Sequence, residues 1–490
     1  MRDADPQGPG QIPTPTPNNT PEKTRENGEA ALAADYSPSH LRAAVQEAPG
    51  LVKLAVPIFI ALSAMGLIGV VDTLMIAPLG TAALAGAALT TAVLILFYCV
   101  IYGMLSACWV SFAQALGAKD FKGLNGALSS SLVLGVLLGV GSAVLMIALL
   151  PILPWMGQPP EVVAIVPPYW IAMAIMLIPF TLFFVMKGLF DALEKPWIGV
   201  AISYLAVLIN VPFNYLLIHG IGSWDGLGLI GAGLASLLAM SVGFGAAWLY
   251  WRRAKTLASL RAEKASASRA EVVQQWRTGW PYAFGYLAEG GAYAFAGLML
   301  GWFGAAALAA YQVVNAVASL FYMLPLGMAS AVSLRVGVAV GAGENARLAP
   351  INTGALGTVT VWMVLVMVVL MLSGGWIASS LADDPEVVAI ATSMFVIMAA
   401  MQVLDGIQST SFGALRGILD TRFPAMVTTV SYWMVALPAA YVLGFMVGLG
   451  PNGVWLGYMV GLSLAGLALT LRYYRKVAQG VGAQGHDPEI

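Results

Sequence analysis

Twelve runs of mostly apolar residues fill the chain from residue 51 to residue 473, each long enough to cross the hydrocarbon of a bilayer. A spanning helix needs about 20 such residues. The runs fall near 51–77, 81–114, 123–153, 163–187, 197–219, 228–251, 275–301, 305–335, 350–378, 387–414, 424–447 and 453–473. In hydrocarbon a backbone must satisfy its own polar groups, so such segments are helices. The expected fold class is an all-α membrane protein with twelve transmembrane helices. Pro57, Pro212 and Pro281 lie inside runs, where packed neighbours re-satisfy the interrupted backbone.

Composition narrows the function. Of 490 residues, 59% are hydrophobic and only 10% charged, against about 25% charged in soluble domains. A net charge of −1 offers no field for nucleic acid. There is no HExxH, CxxC or P-loop pattern, so no cofactor and no nucleotide or transition-metal chemistry is expected. His40, His219 and His486 are placed in tails or loops. Cys99 and Cys108 sit nine residues apart in one run, about 13 Å along a helix. That is too far for a disulfide, and both read as packing residues. An integral-membrane enzyme would need a nucleophile, metal or histidine set at the membrane edge, and none is visible.

Charge also sets direction. With the N-terminus inside, the outer connections are "PLG", "GQPPE", "HGIGSWDG", "WFG", "ADDPE" and "GLGPNG". None holds a Lys or Arg, and all 23 basic residues lie in tails, inner loops or inner helix ends. The bias of basic residues to cytoplasmic segments then predicts an inner-membrane protein with both termini cytoplasmic. The sequon at Asn18 carries little weight on that topology.

Shifted by 224 residues, the chain partly matches itself: "LGTAALAGAALTTAVLILFYCVIYGMLSA" (79–107) meets "FGAAALAAYQVVNAVASLFYMLPLGMASA" (303–331) without a gap. Roughly a third of positions 57–120 are identical to their mates. "KGLFDALEKP" from Lys187 likewise resembles "RGILDTRFP" from Arg416. The chain is therefore read as two homologous six-helix lobes. The expected organisation is a disordered cytoplasmic tail (1–48), an N-terminal lobe (49–254), a basic cytoplasmic linker (255–274), a C-terminal lobe (275–475) and a short cytoplasmic tail (476–490). A six-helix repeat preserves direction, so the halves relate by an axis along the membrane normal. In such folds the substrate site lies between the halves near the midplane, and access alternates by rocking.

Of 24 acidic residues, only Asp72, Glu289 and Asp405 fall deep inside runs. An intramembrane acid costs about 2.5–3.5 kcal/mol on an insertion scale and marks function by default. Asp72 aligns with Ala296, Glu289 with Met65, and no acid stands near Met176, the approximate mate of Asp405. None is therefore needed merely to build a lobe. Polar residues gather beside them at helical spacing: Gln402, Asp405 and Ser409; Gln312, Asn315 and Ser319; Asn210 and Asn214; Glu289 and Tyr293. Amides in membranes often serve interhelical hydrogen bonding. Clustered beside a lone carboxylate, they also supply the oxygen ligands that hard cations take. Desolvation raises a carboxyl pKa, so a buried acid can bind H⁺ near neutral pH, or Na⁺ in its place. Either event removes charge from a cleft and would release a cationic substrate.

At these residues the chain resembles the multidrug and toxic compound extrusion (MATE) family, in its bacterial NorM-like branch. The stretches that carry the likeness are "VDTLMIAPLG", "NVPFNYLLIHG", "LPLGMASAVSLRVGVAVGAG" and "DGIQSTSFGALRGILDTRFP", in order and with matching spacing. The resemblance implies a V-shaped cleft between the lobes. It implies export of cationic, often aromatic, drugs or metabolites in exchange for H⁺ or Na⁺. Asp72 then matches the N-lobe acid, with Asn210, Asn214 and Ser236 as its cation ligands. Glu289 and Asp405 match the C-lobe coupling acids, giving Na⁺ a site at either set. Met401 stands where the family often has Tyr, and Tyr311 where it often has His. The expected partners are a small cationic or amphipathic substrate and the lipid bilayer, with the chain a monomer. A flippase for lipid-linked or polar metabolites is the competing reading. It would expect basic residues lining the cleft, where the sequence places acids.

Overall fold

The computed structural model describes residues 38–157 and 159–480. The tail segments 1–37 and 481–490 lie outside the described residues. Twelve long helices follow one another: α1 (Pro38–Ile76), α2 (Thr81–Gly117), α3 (Phe121–Ala148), α4 (Pro160–Ala192), α5 (Pro196–His219), α6 (Leu229–Arg253), α7 (Arg269–Gly301), α8 (Ala305–Gly341), α9 (Leu348–Leu381), α10 (Pro385–Gly417), α11 (Arg422–Met446) and α12 (Gly450–Ala478). Among the described residues the only extended pairing is one bridge between Ile221 and Trp224. Eleven of the helices are long and apolar enough to cross a membrane. The other, α7, has the length at 33 residues, but Arg277, Glu289 and its glutamines dilute its apolar character. It packs against α2, α8 and α11 and still exposes Trp276, Trp280, Phe284, Phe295 and Leu298.

The duplication reaches the turns. Gly80 between α1 and α2 has φ 102°, and Gly304, 224 residues on, has φ 111° between α7 and α8. Only glycine adopts such angles freely. Lys119 after α2 and its mate Gly343 after α8 both turn left-handed, at φ 55° and 73°. Glu194 after α4 and Leu419 after α10 do the same at 54° and 57°. The two lobes thus leave the membrane by the same backbone path, whatever side chains they carry.

Packing divides the molecule into a shared end and a split end. One apolar core joins the N-lobe to the C-lobe through Tyr282, Ala283, Met328, Val332, Ile351 and Phe412. Those C-lobe residues all sit toward the helix ends nearest the described termini. A second core, built from residues such as Ala296, Val314, Phe395 and Trp455, belongs to the far half of the C-lobe alone. The lobes therefore share a core at the terminal end and separate beyond it, which makes the cleft a V.

Small residues allow the close approach at the apex. A Cβ on Gly103 of α2 would stand 2.4 Å from Ala283 Cα of α7, and one on Gly341 of α8 would stand 2.0 Å from Gln114 O of α2. Gly66 and Gly69, further out on α1, have nothing within 4 Å of the same position. Polar ties reinforce the apex. Tyr102 Oη and Ser330 Oγ meet at 2.9 Å, and Gln114 Nε2 donates to Gly417 O at 3.3 Å.

Two expectations change. Residues 38–48 are not tail but the first turns of α1, anchored because Glu47 pairs with Arg335 and Arg347 of the other lobe. His40 consequently lies in a helix, 3.0 Å from Thr353 Oγ1, and His219 is the last residue of α5. The basic linker is docked: Asn125 Nδ2 donates to Leu260 O at 2.6 Å, and Ser129 Oγ to Ala265 O at 3.1 Å.

Candidate ion and substrate site

Asp72 is 9% exposed on α1 and faces α5 and α6. The i, i+4 spacing puts Asn210 and Asn214 on one face of α5, and both are fully buried. Asn210 Nδ2 donates to Asp72 Oδ1 at 3.3 Å, and Asn214 Nδ2 donates to the same oxygen. Ser236 Oγ of α6 donates to Asp72 Oδ2 at 3.0 Å. Asn210 Nδ2 also reaches Ser236 Oγ at 3.2 Å. Three helices thus converge on one carboxylate.

The amide oxygens are left over. Asn210 Oδ1 and Asn214 Oδ1 are buried without a partner. A buried unpartnered acceptor costs about 1–3 kcal/mol, so two beside one carboxylate call for an explanation. Half-turns of the amides exchange oxygen for nitrogen and face both oxygens toward Asp72. That arrangement repels unless a cation lies between. Carboxylate, two amide oxygens and a hydroxyl then form an oxygen set suited to a hard cation.

The C-lobe cluster is looser. Asp405 on α10 is 8% exposed and accepts from Ser409 Oγ at 3.4 Å. Ser409 also donates to Gln408 Oε1 at 3.2 Å. Gln402 Nε2 donates to Ala318 O of α8 at 3.4 Å, so it ties helices together instead of touching Asp405. Glu289 on α7 is half-buried, lies within the electrostatic reach of Asp405, and accepts no hydrogen bond among the described residues. Tyr293 Oη donates to Asn315 Oδ1 at 2.8 Å, linking α7 to α8. Gln312 and Ser319 are exposed, and Ser319 bonds only its own helix.

Aromatic side chains wall this cluster. Tyr293 lies 5.5 Å from Trp455 and 5.9 Å from Tyr458, and Tyr458 stacks on Tyr432 at 5.5 Å. Tyr432 Oη and Trp455 Nε1 are buried without partners. Met401 and Tyr311, the two departures from the resembled pattern, both pack into the C-lobe's own core.

Tyr98 and Tyr322 escaped the sequence reading although they occupy the same position of the repeat. Tyr98 lies within the field of Asp72, and Tyr322 within those of Glu289 and Asp405. The shared "LFY" at 224-residue spacing was the available signal. Arg416 was read only as part of the repeat, opposite Lys187. It is 1% exposed on α10 and donates to Ser333 Oγ at 3.0 Å, Tyr286 Oη at 3.1 Å and Ala329 O at 3.2 Å. Among the described residues no carboxylate pairs with it. No group of three or more His, Cys, Asp or Glu suited to a metal ion occurs among the described residues.

Two homologous helical lobes, closed at one end and holding isolated carboxylates about halfway along, define a polytopic membrane protein of the two-lobed transporter type. The MatE family model matches residues 57–216 and 281–442, two stretches that begin at the repeat's own spacing. The chain belongs to the MatE family. It is 32% identical over 442 residues to a protein of Deinococcus radiodurans named "Probable multidrug resistance protein NorM", covering 89% of this chain and 97% of the relative. It is 32% identical over 460 residues to "Multidrug resistance protein NorM" of Burkholderia vietnamiensis, covering 91% and 97%. In fold it is similar to the eukaryotic MATE transporter AtDTX14, with a TM-score of 0.80 at 21% identity over 90% of this chain and 99% of that one. It is also similar to an outward-facing multidrug resistance MATE transporter, with a TM-score of 0.79 at 20% identity over 90% and 99%.

Proposed function

We propose that this chain is a secondary active multidrug efflux antiporter of the inner membrane. It exports cationic and aromatic compounds in exchange for Na⁺ or H⁺ by alternating access, with both termini in the cytoplasm. The observation that carries the reading is the buried group of Asp72, Asn210, Asn214 and Ser236, with its two unpartnered amide oxygens. A proton needs a single carboxylate oxygen, whereas Na⁺ takes several neutral oxygens as well, so this lobe favours Na⁺.

Substrate recognition fits the other lobe. Glu289 and Asp405 supply negative charge, and the half-buried Tyr293 and Tyr322 offer ring faces that attract cations. Cation entry would cancel charge in the cleft and weaken the hold on a cationic drug. The closed end carries the basic residues, which the charge rule assigns to the cytoplasm, so the cleft opens outward. Apart from proton exchange on a carboxylate, no step in this cycle makes or breaks a covalent bond, in keeping with a transporter. The flippase reading gains nothing from Arg416, whose guanidinium is sealed among Ser333, Tyr286 and Ala329.

The test is efflux of a fluorescent organic cation from proteoliposomes carrying an imposed Na⁺ gradient or an imposed pH gradient, one at a time. Efflux driven by at least one gradient is expected, with Na⁺ the stronger. Identical rates with and without either gradient would overturn antiport.

A further inference from the structure

At the closed end, away from the cleft, the α10–α11 turn and the last turns of α12 line an open cavity of about 630 Å³. Arg422, Arg472 and Lys476 line it together with a single acid, Asp420. Asp420 is already engaged, since Arg472 Nε donates to its Oδ2 at 2.9 Å. The Arg472 guanidinium also lies 4.7 Å over the ring of Phe423, which fixes its position. Arg422 and Lys476 have no acidic partner among the described residues. The cavity thus holds an excess of cations, with Lys476 half-buried and Arg422 exposed.

Its surroundings say what kind of anion fits. Met426 lines the cavity and is 58% exposed, and the next turns of α11 expose Val430 at 47% and Trp433 at 40%. An apolar stripe therefore runs from the cationic cavity along the lipid-facing side of α11. A soluble anion would leave that stripe unused. A molecule with an anionic head and a hydrocarbon chain uses both parts, and basic pockets between helices at this depth suit phosphate headgroups. We propose that this cavity binds the phosphate headgroup of an anionic phospholipid, from the leaflet on the side of the chain's basic residues, with an acyl chain along α11.

The experiment is native mass spectrometry of the full chain in detergent, titrated with phosphatidylglycerol. The double variant Arg422→Gln/Lys476→Gln should bind about thirtyfold more weakly than the parent, about fivefold for each cation removed. Arg252→Gln/Arg253→Gln, at the same end on α6, should bind like the parent. Equal loss in both double variants would mean a diffuse surface field and would overturn the site. So would parental affinity in the first variant. Phosphatidylcholine should bind both forms alike. Saturation by inorganic phosphate that abolishes phosphatidylglycerol binding at millimolar concentration would assign the cavity to a soluble anion and overturn the lipid. A chain ending at Gly480 that binds phosphatidylglycerol much more tightly than the full chain would make Asp487 and Glu489 the natural occupants, with the same consequence. Affinity differences are taken only between variants whose circular dichroism matches the parent, and Lys476→Gln alone, expected to lose about fivefold, serves if the double variant misfolds.

Discussion

Glu47 of α1 and Arg335 of α8 meet at 2.7 Å across the junction of the lobes. Arg347, just before α9, reaches the same carboxylate at 2.7 Å, and Glu194 lies 3.9 Å from Arg335. The Glu47 side chain is only 11% exposed, so one acid of the N-lobe ties together two cations of the C-lobe with limited screening by water. On the proposed alternating-access cycle, an inward-open state breaks this tie. Glu47→Gln should weaken the closed end by about 1–2 kcal/mol, the scale of charge-assisted hydrogen bonds discounted for the exposure of Arg347. That raises the inward-open fraction roughly tenfold. Maleimide labelling of Ser330→Cys, in a chain freed of Cys99 and Cys108, should speed up accordingly. Unchanged labelling would remove Glu47 from any gating role.

The junction can also be opened by bulk. Gly103→Ala places a methyl 2.4 Å from Ala283 Cα and 2.5 Å from Ala283 N, which are backbone atoms with little room to yield. Overpacking of this kind costs about 1–3 kcal/mol. The same Ser330→Cys labelling should accelerate without any change in charge, and an unaltered rate would show that α2 and α7 can slide apart freely.

Asp72→Asn removes the one formal charge from its cluster while keeping its size. Ion-driven efflux should fall at least about tenfold, the scale of losing a charge-assisted ligand. Binding of ²²Na⁺ should fall with it, while membrane abundance stays near the parent's. Retained sodium binding would place the ion elsewhere.

Glu289→Gln and Asp405→Asn probe the other lobe. Each should cut efflux of a cationic substrate by roughly tenfold or more, and efflux of a neutral one much less, because a single lost charge near a desolvated cation is worth at least about 1.4 kcal/mol. Equal loss for charged and neutral substrates would point to a role in ion coupling alone.

Much of this architecture was legible because membranes impose strict rules. Uninterrupted apolar length forces helices, and the 224-residue repeat forces two like lobes. The three deep acids stood out because every other charge in the runs lies near a run's end. Where length and hydropathy stop being informative, the reading failed. Residues 38–48 look soluble in isolation, and their docking on the C-lobe, through Glu47 to Arg335 and Arg347, His40 to Thr353 and Ala44 against Gly354, could not be read from them. The π-helical stretches Val430–Ala436 and Val442–Met446 of α11 leave no mark in periodicity, because an inserted residue shifts a face without altering composition. Tyr98 and Tyr322 were hidden by being ordinary aromatic residues in an apolar run.

The position of Glu47 has a consequence for how such a molecule can vary. It lies upstream of residue 57, where the family match begins. Its partners Arg335 and Arg347 lie inside the second matched stretch, so the tie joins a leading turn outside the family match to residues within it. On the proposed cycle, a change in the leading turns of α1 would retune how long the pump waits before turning over while leaving Asp72, Glu289 and Asp405 untouched.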